Sequence, residues 1–228
     1  GFAFGEGLNR LSIASNCGIT SSASHFSVKT EEYPLGRRLY LYDRPDNFPD
    51  EAQMFLRYVL SPEADDAIGQ SDLVNFAVER IQEPDSRLQT VFNELTNQNE
   101  IDLAQTLRDD LTQWDRLSTT IRFSTGSASL GLKEQRDVAR LIDYLEDQPA
   151  GTRVAVVGFA DSLGPFSNNA RLSESRAKSV ARYIAEMAGD RLPHINFEVK
   201  AYGELSPSLC NTDPNGQAIN RRVEIWIQ

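Results

Sequence analysis

The most informative stretch of this sequence covers residues 153–164 and reads RVAVVGFADSLG. After Arg153 it runs through apolar residues rich in Val up to Phe159, which is typical of a buried strand. The chain leaves this strand at Asp161, just before the turn residue Gly164. Because α/β folds place ligands in the loops that follow their strands, Asp161 is the first candidate binding residue.

A helix over 165–187 is predicted to follow, with Pro165 in its first turn, where the missing N–H costs nothing. Asn169, Leu172 and Arg176 recur at i, i+3 and i+7, so they share one face beside the apolar stripe. Arg176 is therefore expected beside the core. A helix that began at Ser173 would instead put Arg176 in the first turn, where a cation opposes the helix dipole and indicates an anionic partner.

Further strands are predicted at 119–123, 195–201 and 222–227, and a further helix at 129–146. This alternation predicts the α/β (α+β) class, as a two-layer βαβαβ sandwich. Arg222 lies where the last strand begins. Charge that protects a sheet edge and a secondary role in binding are equally open interpretations of this arginine.

Asp161 and Arg176 form an acid and a base fifteen residues apart. From the spacing alone, a salt bridge that closes the domain is the favoured interpretation. The functional alternative is a clamp for a zwitterion: Asp161 accepts from an ammonium while Arg176 holds a carboxylate in bidentate fashion. A free amino-acid end would fit this pair.

Four runs, in this order, resemble the C-terminal family of OmpA: GFADSLG at 158–164, NARLSESRA at 169–177, YGELSP at 202–207 and NRRVE at 220–224. The resemblance covers residues 116–228. It implies a domain that binds peptidoglycan without cleaving it and anchors a protein to the cell wall. It also implies a periplasmic location, at the cell wall or outer membrane of a Gram-negative bacterium.

The same resemblance assigns roles to individual residues. Asp161 and Arg176 would hold the diaminopimelate of the stem peptide, and Asn169 and Leu172 would shape the pocket. Backbone contacts would come from Phe123 and Ser124. Two positions depart from the family pattern, Ala160 in place of Thr and Gln217 in place of Arg, and they bear on affinity more than on the type of ligand.

Residues 1–83 resemble the C-terminal part of type 2 periplasmic solute-binding proteins, particularly phosphate-binding ones, in EEYPLGRRLYLY (31–42) and FLRYVLSPEA (55–64). The alternative function is therefore part of a solute receptor of an ABC transport system, tethered to the wall. Since the first lobe and most anion-binding loops of such receptors are absent, the chain is expected to be a fragment of a longer fusion. Exposed core from the missing lobe would favour a homodimer.

Local patterns divide the first half further. Strands are predicted at 38–42 and 74–78, and a helix at 50–60. Ser61 is expected to cap another helix, with Pro62 in its first position. The serines at 21, 22 and 24 could mimic an anion cradle but are more typical of an ordinary loop. Residues 84–115 are predicted to form a helical connector between the two halves.

Composition restricts the other classes of function. The net charge of −10 argues against nucleic acid as a partner, and thirteen acidic against four basic residues over 51–110 contrast with eight against nine over 151–228. No stretch approaches the ~18 continuous apolar residues of a transmembrane helix. With only two His and two Cys, a metal site is improbable. The sequence contains no cofactor-binding motif. It also shows no pairing of a nucleophile with a base that would indicate an enzyme. Cys17 and Cys210 are expected to be separate thiols, although an oxidising compartment would let them pair.

Overall fold

The structure is a computed structural model and describes residues 11–42, 49–71, 73–82, 95 and 97–228. It divides into two compact units, Gly1–Ile13 with Ser21–Ala77 and Ala14–Thr20 with Val78–Gln228. The elements are β1 (Ile13–Ala14), β2 (Thr20–Ser21), α1 (His25–Lys29), α2 (Asp50–Val59), α3 (Asp65–Gln70), β3 (Arg80–Gln82), α4 (Gln98–Leu111), β4 (Asp115–Arg122), α5 (Leu132–Glu146), β5 (Arg153–Gly158), α6 (Phe166–Ala188), β6 (Asn196–Ala201), α7 (Pro214–Asn220) and β7 (Arg222–Ile227).

The second unit is built on a five-stranded sheet with the order β3-β4-β7-β5-β6. β5 and β6 are parallel, and the other neighbouring strands are antiparallel. Every residue of the central strand β7 is buried. The predicted α/β (α+β) class is thereby confirmed, but the interpretation of Arg222 as sheet-edge charge is wrong, because its strand has neighbours on both sides.

The helices α5 and α6 cover one face of the sheet. Their apolar stripes pack on alternate residues of β4, β5 and β7. This packing explains why apolar residues recur with the helical period in the two helices and at every second position in the strands. The core on this face includes Ile121, Leu141, Val156, Ile184 and Val223.

The other face of the sheet is covered by α4, which lies in the segment predicted to be a connector. Ala104 and Leu107 of this helix pack with Val157 and Trp226 of the sheet. Asn97 caps the start of α4 by accepting from the backbone of Asn99. The sheet is therefore buried on both faces, which is why β7 shows no exposed residue.

The close packing of β5 against α6 depends on Gly158. A Cβ at this position would lie 2.1 Å from the carbonyl oxygen of Ser173, so only glycine lets the helix approach the strand. This contact fixes α6 beside the end of β5. It thereby brings Asp161, just after the strand, close to the side chains of the helix.

Cys17 and Cys210 form a disulfide within the second unit, so the prediction of separate thiols is wrong. Their Cα atoms are 5.8 Å apart, although 193 residues separate them in sequence. Sequence spacing carried no signal of this approach. The loop that contains Cys210 also packs tightly on α7, where a Cβ on Gly216 would collide with the Cys210 carbonyl.

In the first unit, the predicted strands at 38–42 and 74–78 are wrong, because neither has regular structure. An alternating pattern forms a strand only where another strand pairs with it, and the side chains of residues 39–42 are 62–91% exposed. The predicted helix at 50–60 is confirmed as α2. Ser61 and Pro62 stand at the predicted N-cap and first positions, but of a short 3₁₀ turn that leads into α3. The Ser61 hydroxyl does not cap this turn, because it donates to the Tyr58 carbonyl at 2.8 Å.

Two further findings bear on the first half. Ser24 caps α1 in a capping box with Ser27, so this serine is engaged by its own helix. Of the predicted helical connector at 84–115, residues 84–94 and 96 lie outside the described residues. Among the residues that are described, no helix combines the length and the apolar character needed to cross a membrane.

Candidate functional site

Asp161 lies in a turn directly beyond β5 and is 5% exposed. The preceding residue is fixed by a bond of 2.7 Å from the Ala160 amide to the Gly203 carbonyl. The carboxylate of Asp161 accepts twice, from the Leu163 amide at 3.2 Å and from Nη1 of Arg221 at 2.6 Å. The aspartate is thus held rigidly at the end of the strand, as its place in the sequence predicts.

Arg176 projects from the middle of α6 and is completely buried. Because α6 begins at Phe166, the alternative start at Ser173 is wrong. The Arg176 Nε donates to the Ser127 carbonyl at 3.2 Å, and the guanidinium lies 5.4 Å from the centre of the Phe123 ring. Both terminal nitrogens, Nη1 and Nη2, are buried and have no hydrogen-bond partner among the described residues.

Burial lowers the pKa of Arg176 to about 10, while the charge of Asp161 opposes this change and that of Arg221 adds to it. A buried cation normally needs an acceptor for each donor, since leaving a charged group unsatisfied is costly. The two terminal nitrogens of Arg176, Nη1 and Nη2, are therefore donors that a single carboxylate could satisfy. Arginine binds carboxylates in this bidentate way.

The ion pair of Asp161 is formed with Arg221, whose guanidinium also donates from Nε to the Phe123 carbonyl at 3.2 Å. Arg176 makes no ion pair within the described part of the chain. The favoured sequence interpretation, an Asp161–Arg176 salt bridge, is therefore replaced by a different pair. Asp161 and Arg176 remain close enough to influence each other electrostatically.

The remaining predicted residues surround this centre. Asn169 is buried on the same face of α6 and donates to Glu204 at 2.5 Å. Burial raises the pKa of Glu204, against the lowering effect of that bond. Leu172 is half-buried one turn before Arg176. Ser124 begins the loop that carries Ser127, and its carbonyl accepts from the Ser127 amide at 3.1 Å.

The structure places Arg222 in a different environment. It is completely buried, with Nε donating to Glu224 at 2.6 Å, Nη2 donating to the Ser206 carbonyl at 2.7 Å and the Phe159 ring 4.2 Å away. Arg116 and the indole of Trp226 also contact Glu224, at 3.2 and 3.1 Å. These contacts make Arg222 part of a buried charge network of the fold.

Sequence reasoning missed Arg221 as a partner of Asp161. Its position just before β7, next to Arg222, was only a weak signal, because the local pattern does not distinguish the two adjacent arginines. Arg221 also lines a shallow depression of about 340 Å³, together with Arg122, Phe123, Ser124, Ser129 and Glu134 among others. The depression therefore shares Phe123, Ser124 and Arg221 with the candidate site.

The fold and the site define a domain of the α/β class with a fixed carboxylate, Asp161, near a buried arginine, Arg176, whose two terminal nitrogens have no partner among the described residues. Comparison with known proteins agrees with the resemblance: the OmpA family model matches residues 122–221, which lie within the second unit. The match starts at the end of β4 and ends at Arg221. It includes Asp161, Arg176 and the residues that hydrogen-bond to them, Leu163, Arg221 and Ser127.

Three relatives illustrate the similarity. The outer membrane porin F of Pseudomonas fluorescens is 31% identical over 113 residues, which are 50% of this chain and 33% of porin F. The peptidoglycan-binding protein ArfA of Mycobacterium tuberculosis is 36% identical over 109 residues, or 47% of this chain and 32% of ArfA. The peptidoglycan-associated lipoprotein of Pseudomonas putida is 33% identical over 112 residues, or 48% of this chain and 63% of that lipoprotein.

The chain thus matches from about a third to somewhat under two thirds of the length of these relatives. Their names place them at the outer membrane or on peptidoglycan. The predicted location in the cell envelope is confirmed at this level.

Proposed function

We propose that the second unit binds peptidoglycan without cleaving it and anchors its protein to the cell wall. The observation that carries this proposal is the pair of unused donors on the buried Arg176, close to the fixed carboxylate of Asp161. Two of the similar proteins are named for an association with peptidoglycan, which supports the same function here.

The ligand group is the diaminopimelate of the stem peptide, whose free end carries an ammonium and a carboxylate on one carbon. The carboxylate receives the two Arg176 donors, and the ammonium approaches Asp161. Asn169 and Leu172 line the approach along α6, while Phe123 and Ser124 border it from the end of β4. Arg222 takes no part, because its donors serve Glu224 and Ser206.

Binding requires the loop at 124–131 to move. In the present arrangement the Ser127 carbonyl occupies the Arg176 Nε, and both terminal nitrogens are covered. A ligand carboxylate reaches the two terminal nitrogens only after this loop has moved, and it supplies the negative charge that Arg176 lacks. Faster amide hydrogen exchange in this loop upon binding would accompany the movement.

Calorimetric titration of the full chain with a diaminopimelate-containing stem tripeptide tests the proposal. The matching tripeptide with lysine lacks the second carboxylate and is expected to bind far more weakly. Arg176→Gln and Asp161→Asn should each weaken binding about 30-fold or more, because truncating one partner of a buried charged pair costs ~2–5 kcal/mol.

Arg171→Gln is the matched control, since Arg171 lies on the exposed side of the same helix. Equal binding of the two tripeptides, or full binding by a folded Arg176→Gln variant, would refute the proposal. The resemblance of residues 1–83 to a solute receptor, the domain boundaries at 83 and 115, and the homodimer stay predictions. The engagement of Ser24 in capping α1 gives the solute site no support.

A further inference from the structure

Arg221 is more than the partner of Asp161. It is 8% exposed, its Nη1 donates to Asp161 and its Nε donates to the Phe123 carbonyl. Its remaining terminal nitrogen, Nη2, makes no hydrogen bond within the described residues. The same side chain lines the depression of about 340 Å³ next to the candidate site.

The charges around this arginine are unbalanced. Asp161 faces two guanidinium groups, that of Arg221, with which it forms an ion pair at 2.6 Å, and that of Arg176, on which its charge acts. A zwitterionic ligand end adds one charge of each sign and leaves the excess unchanged. The depression is also lined by Arg122 and Glu134, one charge of each sign, which leave this excess unchanged. The surplus positive charge on this side therefore favours a second anionic group on the ligand.

We propose that this depression is a subsite for a second carboxylate of the same peptide, and that Arg221 is its specificity-determining residue. The inference rests on the proposed function, because Arg221 connects the subsite to Asp161. In the stem peptide the α-carboxylate of the glutamate that precedes diaminopimelate is the nearest such group. Arg221 would hold Asp161 with one terminal nitrogen and this carboxylate with the other.

The test uses two stem tripeptides that differ only at the glutamate α-carboxylate, as the free acid or as the amide. Titrated into the full chain, the free acid should bind about tenfold more tightly, as expected for one charge-assisted hydrogen bond at a partly open site. Arg221→Gln should bind both peptides equally. Arg221→Lys keeps the charge and should retain part of the preference.

Arg221→Gln also removes the support of Asp161, so its overall affinity will fall for both peptides. The ratio between the peptides is therefore the decisive measurement, since a purely supporting role would leave that ratio unchanged. Arg136→Gln, an exposed change of the same kind on α5, is the control and should keep the tenfold preference.

The possible outcomes separate the two proposals. Binding of neither peptide by the wild type would overturn the proposed function itself. Equal binding of both peptides by the wild type, or an unchanged ratio in Arg221→Gln, would overturn the subsite and leave the diaminopimelate site standing.

Discussion

Arg176 and Arg222 are both completely buried side chains of the same domain, yet their guanidinium groups are treated in opposite ways. Arg222 has a carboxylate at 2.6 Å and a carbonyl at 2.7 Å. Arg176 has one carbonyl at 3.2 Å, and within the described part of the chain its two terminal nitrogens have no partner. Burial alone therefore does not separate a structural arginine from a binding one.

The difference lies in which groups the fold supplies. A buried charge that is paired and hydrogen-bonded is tolerated, whereas an unpaired one is a cost that the rest of the structure must offset. Arg222 meets the first condition through Glu224. Arg176 has one hydrogen bond, to the Ser127 carbonyl, but no carboxylate within the described residues. The comparison therefore predicts opposite effects on stability when the charge is removed on the two sides.

The largest effect is expected for Glu224→Gln. This change keeps the shape of the side chain but leaves Arg116 and Arg222 without their carboxylate, and breaking a buried ion pair costs ~3–5 kcal/mol. Denaturant unfolding followed by tryptophan fluorescence measures this loss, because both tryptophans, Trp114 and Trp226, lie in the second unit.

Glu198→Gln is the matched control for this prediction. Glu198 pairs with Arg153 on the surface, and such exposed pairs contribute less than ~1 kcal/mol. Similar losses in the two variants would mean that the network around Arg222 is no more important to stability than an ordinary surface pair.

A smaller loss is expected when the disulfide is removed. The bridge ends in the loop that provides the Ser206 carbonyl to Arg222, so it supports the satisfied arginine. The variant with both Cys17 and Cys210 changed to Ser should lose ~2–4 kcal/mol, mainly because the unfolded chain becomes less constrained.

Unfolding of the oxidised and reduced wild type provides the measurement that checks this value. Peptide affinity should change little, because Asp161 and Arg176 keep their supporting residues. A large loss of peptide affinity with unchanged stability would instead mean that the disulfide supports the site around Arg176 and not the network around Arg222.

The sequence predicted much of this arrangement and failed where contacts depend on distant segments. The burial of Arg176 followed from its i, i+7 relation to Asn169 on one face of α6. The strands before and after this helix, β5 and β6, were also found from local patterns. The central position of β7 could not be derived, because strand order is decided by pairing between remote residues. The partner of Asp161 was missed for the same reason, since Arg221 is sixty residues further along the chain.

The disulfide and the packing of α4 on the sheet are two further features that depend on contacts between distant segments. Nothing near Cys17 or Cys210 indicates the other cysteine, and the amphipathic pattern of α4 indicates a packed face without naming the surface beneath it. Arg222 lies on the same face of β7 as Trp226, which packs with α4. Local sequence therefore located both arginines but could not distinguish their roles.

The smallest effect, and the sharpest test of the comparison, is expected for Arg176→Met. Methionine fills much of the same space without unsatisfied donors, so stability should rise by about 1–3 kcal/mol, less whatever the contact with the Phe123 ring contributes.

The pKa of Arg176 is lowered to about 10 in the folded protein, so its charged form is penalised below that pH and the penalty disappears as pH rises further. The gain in the variant should therefore be largest near neutral pH and shrink above about pH 10. Unfolding of the wild type and the variant at pH 7 and pH 10.5 measures this difference, with peptide titration at pH 7 to establish that binding is lost. A loss of stability comparable to that of Glu224→Gln would place Arg176 with Arg222 as a structural residue, and the unused donors would then have no functional meaning.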